Sequence, residues 1–146
     1  MKVRDVIVND FVYVPRSALV VDVAQKMKDS ATDVIPVCEN GKLRGIITGR
    51  DIITSIADIG GNTSNLPAGL LMNNHYRIIQ PGEDTLQAAE VMVHNGVRVL
   101  PVAQNGKLLG LFTLDDLARV SMFLAAMTFA KTAKMAMEAK GDTRRE

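Results

Sequence analysis

The chain has 146 residues, of which 47% are hydrophobic and 23% charged; such a composition is typical of one folded globular unit, not of a disordered chain. Its 17 Lys and Arg nearly balance its 16 Asp and Glu, so no general positive field attracts nucleic acid or an anionic membrane. Cys38 is the only cysteine, which excludes an intrachain disulfide and a multi-cysteine metal site. The longest nearly apolar run, 122–130, is far below the ~20 residues that span a bilayer. Because no signal peptide is evident either, we expect a cytoplasmic protein.

The first half of the chain predicts a helix, a hairpin and a second helix. Apolar residues at helical spacing, Val20, Val23 and Met27, predict the first helix. Asn40 and Gly41 separate two short apolar runs, and Asn-Gly in that position is typical of a type I′ hairpin turn because both residues tolerate positive φ. The predicted elements are a helix over 17–29, strands over 34–38 and 43–48, a helix after Thr48 and a linker over 60–65.

The second half predicts the same elements again. Leu86, Ala89 and Met92 have helical spacing, and another Asn-Gly pair separates two apolar runs. Pro36 and Pro101 lie within predicted strands, so those strands should be edge strands or contain a bulge, because proline donates no ladder hydrogen bond. The predicted elements are a helix over 84–95, strands over 99–103 and 108–113, and a long helix from 115 to about 140.

The two halves are copies of one pattern. Segments 33–51 and 98–116 align without a gap, at a constant offset of 65 residues. Upstream the match continues through Met27 and Met92, although Pro15 lies one residue further from its methionine than Pro81 does. The matched positions include Pro36 with Pro101, Asn40-Gly41-Lys42-Leu43 with Asn105-Gly106-Lys107-Leu108, Gly45 with Gly110, Thr48 with Thr113, and Asp51 with Asp116.

This doubled pattern resembles the CBS (cystathionine-β-synthase) domain. The features are an Ile-Pro-Val or Leu-Pro-Val strand, an Asn-Gly turn, and Gly-x-x-Thr-x-x-Asp opening a helix, over roughly residues 1–120. Two such domains in tandem resemble a Bateman module. The resemblance implies an α/β (α+β) fold of two β-α-β-β-α repeats about a pseudo-two-fold axis, with two related clefts. We assign residues 1–62 to repeat 1, 63–122 to repeat 2, and 123–146 to a C-terminal helix extension and tail.

Each Thr-x-x-Asp motif places a hydroxyl and a carboxylate on the first turn of a helix. Thr48 with Asp51, and Thr113 with Asp116, are the candidate ligand-binding residues. A carboxylate offers two acceptor oxygens to the 2′ and 3′ hydroxyls of ribose, and a hydroxyl with free helix amides can bind phosphate. The resemblance implies the same roles. The alternative is a helix capping box, in which both side chains satisfy the amides of their own helix.

The two sites are not expected to be equivalent. Between Thr and Asp the first copy has Arg50, whereas the second has Asp115. Three residues before the proline the contrast reverses, with Asp33 in the first copy and Arg98 in the second. Arg50 and Arg98 are therefore possible phosphate contacts, and the alternative is that both are solvated surface charges.

Adenine requires only an apolar slot with backbone hydrogen bonds. The positions that could provide it could equally be core residues. They are Val12, Tyr13, Val14 and Ile35 in the first copy, and Arg77, Ile78, Ile79 and Leu100 in the second.

No pattern typical of an enzyme or a metal site accompanies the repeat. No P-loop, His-Glu-x-x-His or Gly-x-Ser-x-Gly occurs, and His75 and His94 have no second ligand at metal spacing. We therefore expect no catalytic residue, no metal and no required cofactor. The leading hypothesis is a regulatory module that senses AMP, ADP, ATP, S-adenosylmethionine or an NAD-like ligand and signals to an unidentified effector protein.

The C-terminal segment provides the alternative hypothesis. It is rich in Ala and Met, and Phe123, Leu124 and Met127 give it an apolar face. A helix this long outruns a small domain, so its projecting part should bind a partner chain. We expect a homodimer formed partly through this helix and partly through the helices that follow each Thr-x-x-Asp. The chain would then be an assembly scaffold whose nucleotide pockets are vestigial. Neither nucleic acid nor a membrane is an expected partner.

Overall fold

The computed structural model describes residues 1–7, 10–60 and 62–145, with side chains up to 141. The chain divides into two compact units, one ending at Phe112 and the other beginning at Thr113. After a short 3₁₀ turn at Val3–Asp5, the helices and strands are α1 (Val20–Ser30), β1 (Val34–Glu39), β2 (Lys42–Thr48), α2 (Gly49–Ile59), α3 (Ala68–Leu71), α4 (Thr85–Asn95), β3 (Val99–Gln104), β4 (Lys107–Thr113) and α5 (Leu114–Arg145).

The four strands form one sheet in the order β1-β2-β4-β3, so β1 and β3 are its edge strands. This confirms the edge positions predicted for Pro36 and Pro101. The register of the antiparallel β1–β2 pair also shifts between Val37 and Cys38, directly after Pro36. The proline therefore sits where its missing N–H breaks no ladder hydrogen bond.

Both Asn-Gly turns have the backbone conformation that the sequence predicts. Asn40 and Gly41 have φ values of 54° and 78°, and Asn105 and Gly106 have 55° and 80°. Positive φ at both central residues is the requirement of a type I′ turn.

The first strand that the resemblance implies for each repeat is reduced to a single bridging residue. Val14 N donates to Pro36 O at 3.0 Å, and Cys38 N donates to Val14 O at 2.9 Å. In the second repeat Ile79 bonds to Pro101 and Ala103 in the same way, at 3.0 Å each. Because Val14 and Ile79 are 65 residues apart, the repeat extends upstream at the same offset.

The bounds of α1 and α4 explain why the spacing from Pro15 to Met27 differs by one residue from that between Pro81 and Met92. They begin at Val20 and Thr85 and end before Ala31 and Gly96, all at the 65-residue offset. Pro15 and Pro81 are therefore not equivalent positions, and no insertion is present. The buried residues also correspond, as Val20, Val23 and Met27 in α1 and Thr85, Ala88 and Met92 in α4. Leu86 was expected on the apolar face but is 67% exposed, because this register turns it outward.

Each repeat is completed by a segment from the other half of the chain. In the first, Val20 N donates to Leu66 O at 2.9 Å and Ala68 N donates to Ala18 O at 2.7 Å. The equivalent bonds in the second join the chain start to α4, from Thr85 N to Met1 O at 3.0 Å and from Val3 N to Glu83 O at 2.9 Å. Ala68 and Val3 are both fully buried. Residues 1–4, which we assigned to repeat 1, therefore pack on the second repeat.

The predicted linker, 60–65, includes one position outside the described residues, Gly61. Gly60 ends α2 in the left-handed conformation at φ 67°. Beyond the linker, the chain passes close to β2. Asn73 N donates to Ile46 O at 2.7 Å, and Ile46 N donates to Asn73 O at 3.1 Å. This close approach requires glycine at position 45.

The helices α2 and α5 leave apolar residues exposed. α2 has no buried residue, and Ile53, Ile56 and Ile59 are exposed. α5 is longer than predicted, with 32 residues or about 48 Å, and every residue from 121 to 141 is exposed. No helix in the described part of the chain is long and apolar enough to cross a membrane.

Replacing Gly45 by Ala should destabilise the protein. A Cβ at this position would lie 2.8 Å from Met72 Sδ and 3.0 Å from the backbone oxygen of Asn73, so the crossing segment must shift. We expect a loss of about 1–3 kcal/mol in the free energy of unfolding, measured by chemical denaturation. Gly82→Ala is the matched control, because its nearest atom is Arg4 Nη1 at 3.9 Å. Equal stability of the two variants would contradict the close packing.

Candidate functional site

Both Thr-x-x-Asp motifs form helix capping boxes. Thr48 N donates to Asp51 Oδ2 at 2.8 Å, and Asp51 N donates to Thr48 Oγ1 at 3.1 Å. Thr113 and Asp116 form the same pair of bonds at the same distances. The capping box, which the sequence analysis gave as the alternative to a ligand site, is therefore present in both copies. It does not exclude ligand binding, since a carboxylate has a second oxygen and a hydroxyl retains its proton.

The second carboxylate oxygen distinguishes the two copies. No donor reaches Asp51 Oδ1 among the described residues, and the Asp51 side chain is partly exposed. Asp116 Oδ1 instead accepts a hydrogen bond from Arg119 Nη2 one turn along the same helix. Thr54 occupies the position matching Arg119 in the first copy. The first copy thus presents an unpaired acceptor oxygen and the second copy does not.

A cleft of about 470 Å³ lies beside Asp51. Its polar residues come from one face of α2 and include Arg50, Asp51, Thr54, Ser55 and Asp58. The apolar lining is Ile59 at the end of α2 together with Leu66, Leu70 and Leu71. Sequence reasoning found Arg50 and Asp51 but missed the other lining residues. Helical spacing from Asp51 could have identified the α2 residues, which follow it at intervals of three or four positions. No pattern in the sequence indicated the leucines.

The remaining predicted site residues do not line this cleft. Arg98 is exposed on the loop that precedes β3, and Asp33 is exposed before β1, where its backbone oxygen accepts from Gly49 N at 2.9 Å. Among the adenine positions, Val14, Ile35, Ile79 and Leu100 are buried in the core, Val12 is partly buried, and Tyr13, Arg77 and Ile78 are exposed. The four buried residues therefore have the core role that the sequence analysis gave as the alternative.

A larger open groove, of about 950 Å³, lies along α4. Arg77, Glu83, Glu90 and His94 line it, but no residue of either Thr-x-x-Asp motif does. Within the described ranges, no group of three or more His, Cys, Asp or Glu side chains is placed to hold a metal ion. The groove therefore combines opposite charges without a recognisable cation site.

The family model for the CBS domain matches this chain twice, over residues 3–58 and 68–122. Together these segments cover most of the sequence, and each contains one Thr-x-x-Asp motif. The chain belongs to the CBS-domain family. Its two domains are in tandem, as in a Bateman module.

Relatives of similar sequence include other CBS-domain proteins. YhcV of Bacillus subtilis is 28% identical over 80% of this chain and 82% of its own length. MK0525 of Methanopyrus kandleri is 32% identical over 73% of this chain, but the matched region is only 55% of that relative.

Solved structures share the fold of this CBS pair. AcuB of Vibrio cholerae superposes with a TM-score of 0.81 at 21% identity, covering 89% of this chain and 96% of its own. CBSX2, solved in complex with AMP, gives 0.75 at 21% identity over 85% and 98%. The CBS pair of MJ0100, solved with 5′-methylthioadenosine and S-adenosyl-L-methionine, gives 0.72 at 20% identity over 82% and 94%.

Cys38 lies in the interior of the protein rather than in the cleft. It packs with Leu43 and Leu108, beside Phe11 and Tyr76. Burial, and secondarily the charge of Glu39, raises the pKa of its thiol. Burial likewise raises the pKa of Tyr76. Both groups therefore remain protonated at neutral pH and are poor nucleophiles.

Cys38 should react slowly with a thiol reagent in the folded protein. The raised pKa lowers the thiolate fraction at pH 8, and burial blocks access to the sulfur. We expect labelling at least about tenfold slower in buffer than in denaturant, followed spectrophotometrically with a chromogenic disulfide. Free cysteine under both conditions is the control. Equal rates for the native and denatured protein would show that the thiol is accessible.

Proposed function

We propose that this CBS pair is a regulatory module that binds an adenosyl ligand in the cleft beside Asp51 and catalyses no reaction. The observation that supports it best is the unpaired Oδ1 of Asp51, held at a fixed position by the capping box. That oxygen can accept a hydrogen bond from a ribose hydroxyl without disturbing the helix.

The rest of the cleft supports the same ligand class. Its volume of about 470 Å³ falls within the range of small-molecule sites. At the start of α2 the Thr48 hydroxyl and the Arg50 guanidinium can bind phosphate. Leu70 and Leu71 form an apolar wall against which a base can pack. We keep Arg98 and the exposed Tyr13, Arg77 and Ile78 as proposed further contacts.

Relatives of the same fold support the proposal through the ligands with which they were solved. Those ligands are AMP in CBSX2, and 5′-methylthioadenosine with S-adenosyl-L-methionine in MJ0100. They share an adenosyl group and a ribose. The candidate ligands are AMP, ADP, ATP, S-adenosylmethionine and an NAD-like ligand. Ligand binding would shift the protein between conformations that a separate, cytoplasmic effector protein recognises.

The first test is ligand binding by Asp51→Asn. Asn retains one oxygen that can cap Thr48 N, but an NH2 group then replaces Oδ1, so the acceptor for a ribose hydroxyl is lost and affinity should fall about tenfold or more. Isothermal titration with AMP, ATP and S-adenosylmethionine measures this, and Tm should change little. Asp22→Asn, on exposed α1, is the control. If none of these ligands binds the wild type or raises its Tm, the sensing proposal fails.

The exposed helix faces favour a second proposal, that the chain forms a homodimer. Phe123, Leu124 and Met127 lie on one side of α5, and Ile53 and Ile56 lie on α2; all are exposed. A two-fold assembly can bury such faces by self-complementarity. If the adenosyl cleft proves inactive, this assembly would itself be the function.

A charge on the apolar face of α5 should dissociate the dimer. Phe123→Glu would bury an unpaired carboxylate at the contact, so light scattering at micromolar concentration should change from a dimeric to a monomeric mass. Phe129→Glu is the matched control, because Phe129 lies about 240° around the helix from Phe123 and should leave the mass unchanged. A monomeric wild type, with or without adenylate, would contradict the proposal.

A further inference from the structure

The two copies of Thr-x-x-Asp differ in one feature that controls access to the carboxylate. Asp116 has both oxygens occupied, Oδ2 by Thr113 N at 2.8 Å and Oδ1 by the Arg119 guanidinium. Its side chain is 8% exposed, whereas that of Arg119 is 64% exposed. The arginine therefore reaches from solvent onto a buried carboxylate and covers it.

The first copy has the same backbone geometry without this cover. Thr48 N donates to Asp51 Oδ2 at the same 2.8 Å, so the two carboxylates are held alike by their capping boxes. The position equivalent to Arg119 is Thr54, which is exposed and lines the cleft beside Asp51. Threonine is too short to close over Oδ1 and carries no charge. The hydrogen bonding of the second carboxylate oxygen thus differs because Arg119 stands where the first copy has Thr54.

We propose that Arg119 is an internal latch that occupies the ribose-binding carboxylate of the second repeat and leaves the first repeat as the working adenosyl site. This inference rests on the proposed function, because it concerns the same kind of site. A ribose hydroxyl would have to displace the guanidinium, whose charge-assisted bond to a carboxylate is stronger than a neutral hydrogen bond. The wild type should therefore bind one adenosyl ligand per chain.

The charges beside Asp116 also disfavour a phosphorylated ligand. Asp115 and Asp116 place two carboxylates on the first turn of α5, where the free amides of a helix start favour negative charge. Asp115 repels an incoming phosphate, and Arg119 neutralises Asp116 from within the chain. In the first repeat, Arg50 replaces Asp115 and Thr54 replaces Arg119. Arg50 precedes Asp51 along the chain and does not pair with its carboxylate.

Five variants, one of them a control, test the latch by isothermal titration with ATP and S-adenosylmethionine. Arg119→Thr copies the first repeat and should raise the number of ligands bound per chain from one to two. Asp51→Ala should abolish binding, and Asp51→Ala combined with Arg119→Thr should restore one site. Thr54→Arg should close the first site and weaken its affinity about tenfold or more. Ala57→Arg adds the same charge on α2 outside the residues that line the cleft and should leave affinity unchanged.

The outcomes separate the latch from the proposed function. Two ligands on the wild type, or no gain from Arg119→Thr in a protein with wild-type circular dichroism, would overturn the latch while leaving the first site intact. Weaker binding by Arg119→Thr would overturn it too, because Arg119 would then be a ligand contact. No binding to the wild type but one ligand on Arg119→Thr would support the latch and overturn the assignment of the first site. No binding to any variant would overturn both.

Discussion

The architecture depends on backbone hydrogen bonds through which each half of the chain completes the other. Residues 66–69 pair with the entry to α1, and residues 1–4 pair with the entry to α4, through equivalent bonds between 2.7 and 3.0 Å. Buried backbone amides must be paired, and here their partners come from the other repeat. Neither repeat of this chain therefore satisfies its own helix entry, so each repeat depends on the other for its backbone hydrogen bonds.

The capping box shows how one short motif can serve the fold and a ligand at once. A single carboxylate has more acceptor capacity than one backbone amide uses. At Asp51 the helix takes Oδ2 and leaves Oδ1, so the residue that begins α2 also presents a fixed acceptor to the cleft. A site built in this way is preorganised, because the bond that orients the carboxylate is already needed to start the helix.

Duplication gave two copies of this arrangement, and the differences between them are electrostatic. Backbone distances in the two capping boxes agree, but Arg50 is replaced by Asp115 and Thr54 by Arg119. Substitutions on the exposed turns of a helix cost little stability. Charges beside the two carboxylates can therefore differ without altering the fold that holds them.

Local sequence patterns predicted most of the helices and both hairpins. The 65-residue offset, the Asn-Gly turns and the edge prolines follow from local backbone preferences, which act over a few residues and can be read in order along the chain. Features that depend on residues distant in sequence, or on the direction of a side chain, became evident only in the folded structure. The sequence alignment paired Pro15 with Pro81, whereas the starts of α1 and α4 show that these prolines are not equivalent. Leu66, Leu70 and Leu71 line the cleft because residues 66–69 pair with the entry to α1. Arg119 contacts Asp116 one turn back along α5. Residue type and spacing specify a helix face, but packing selects which side chains meet.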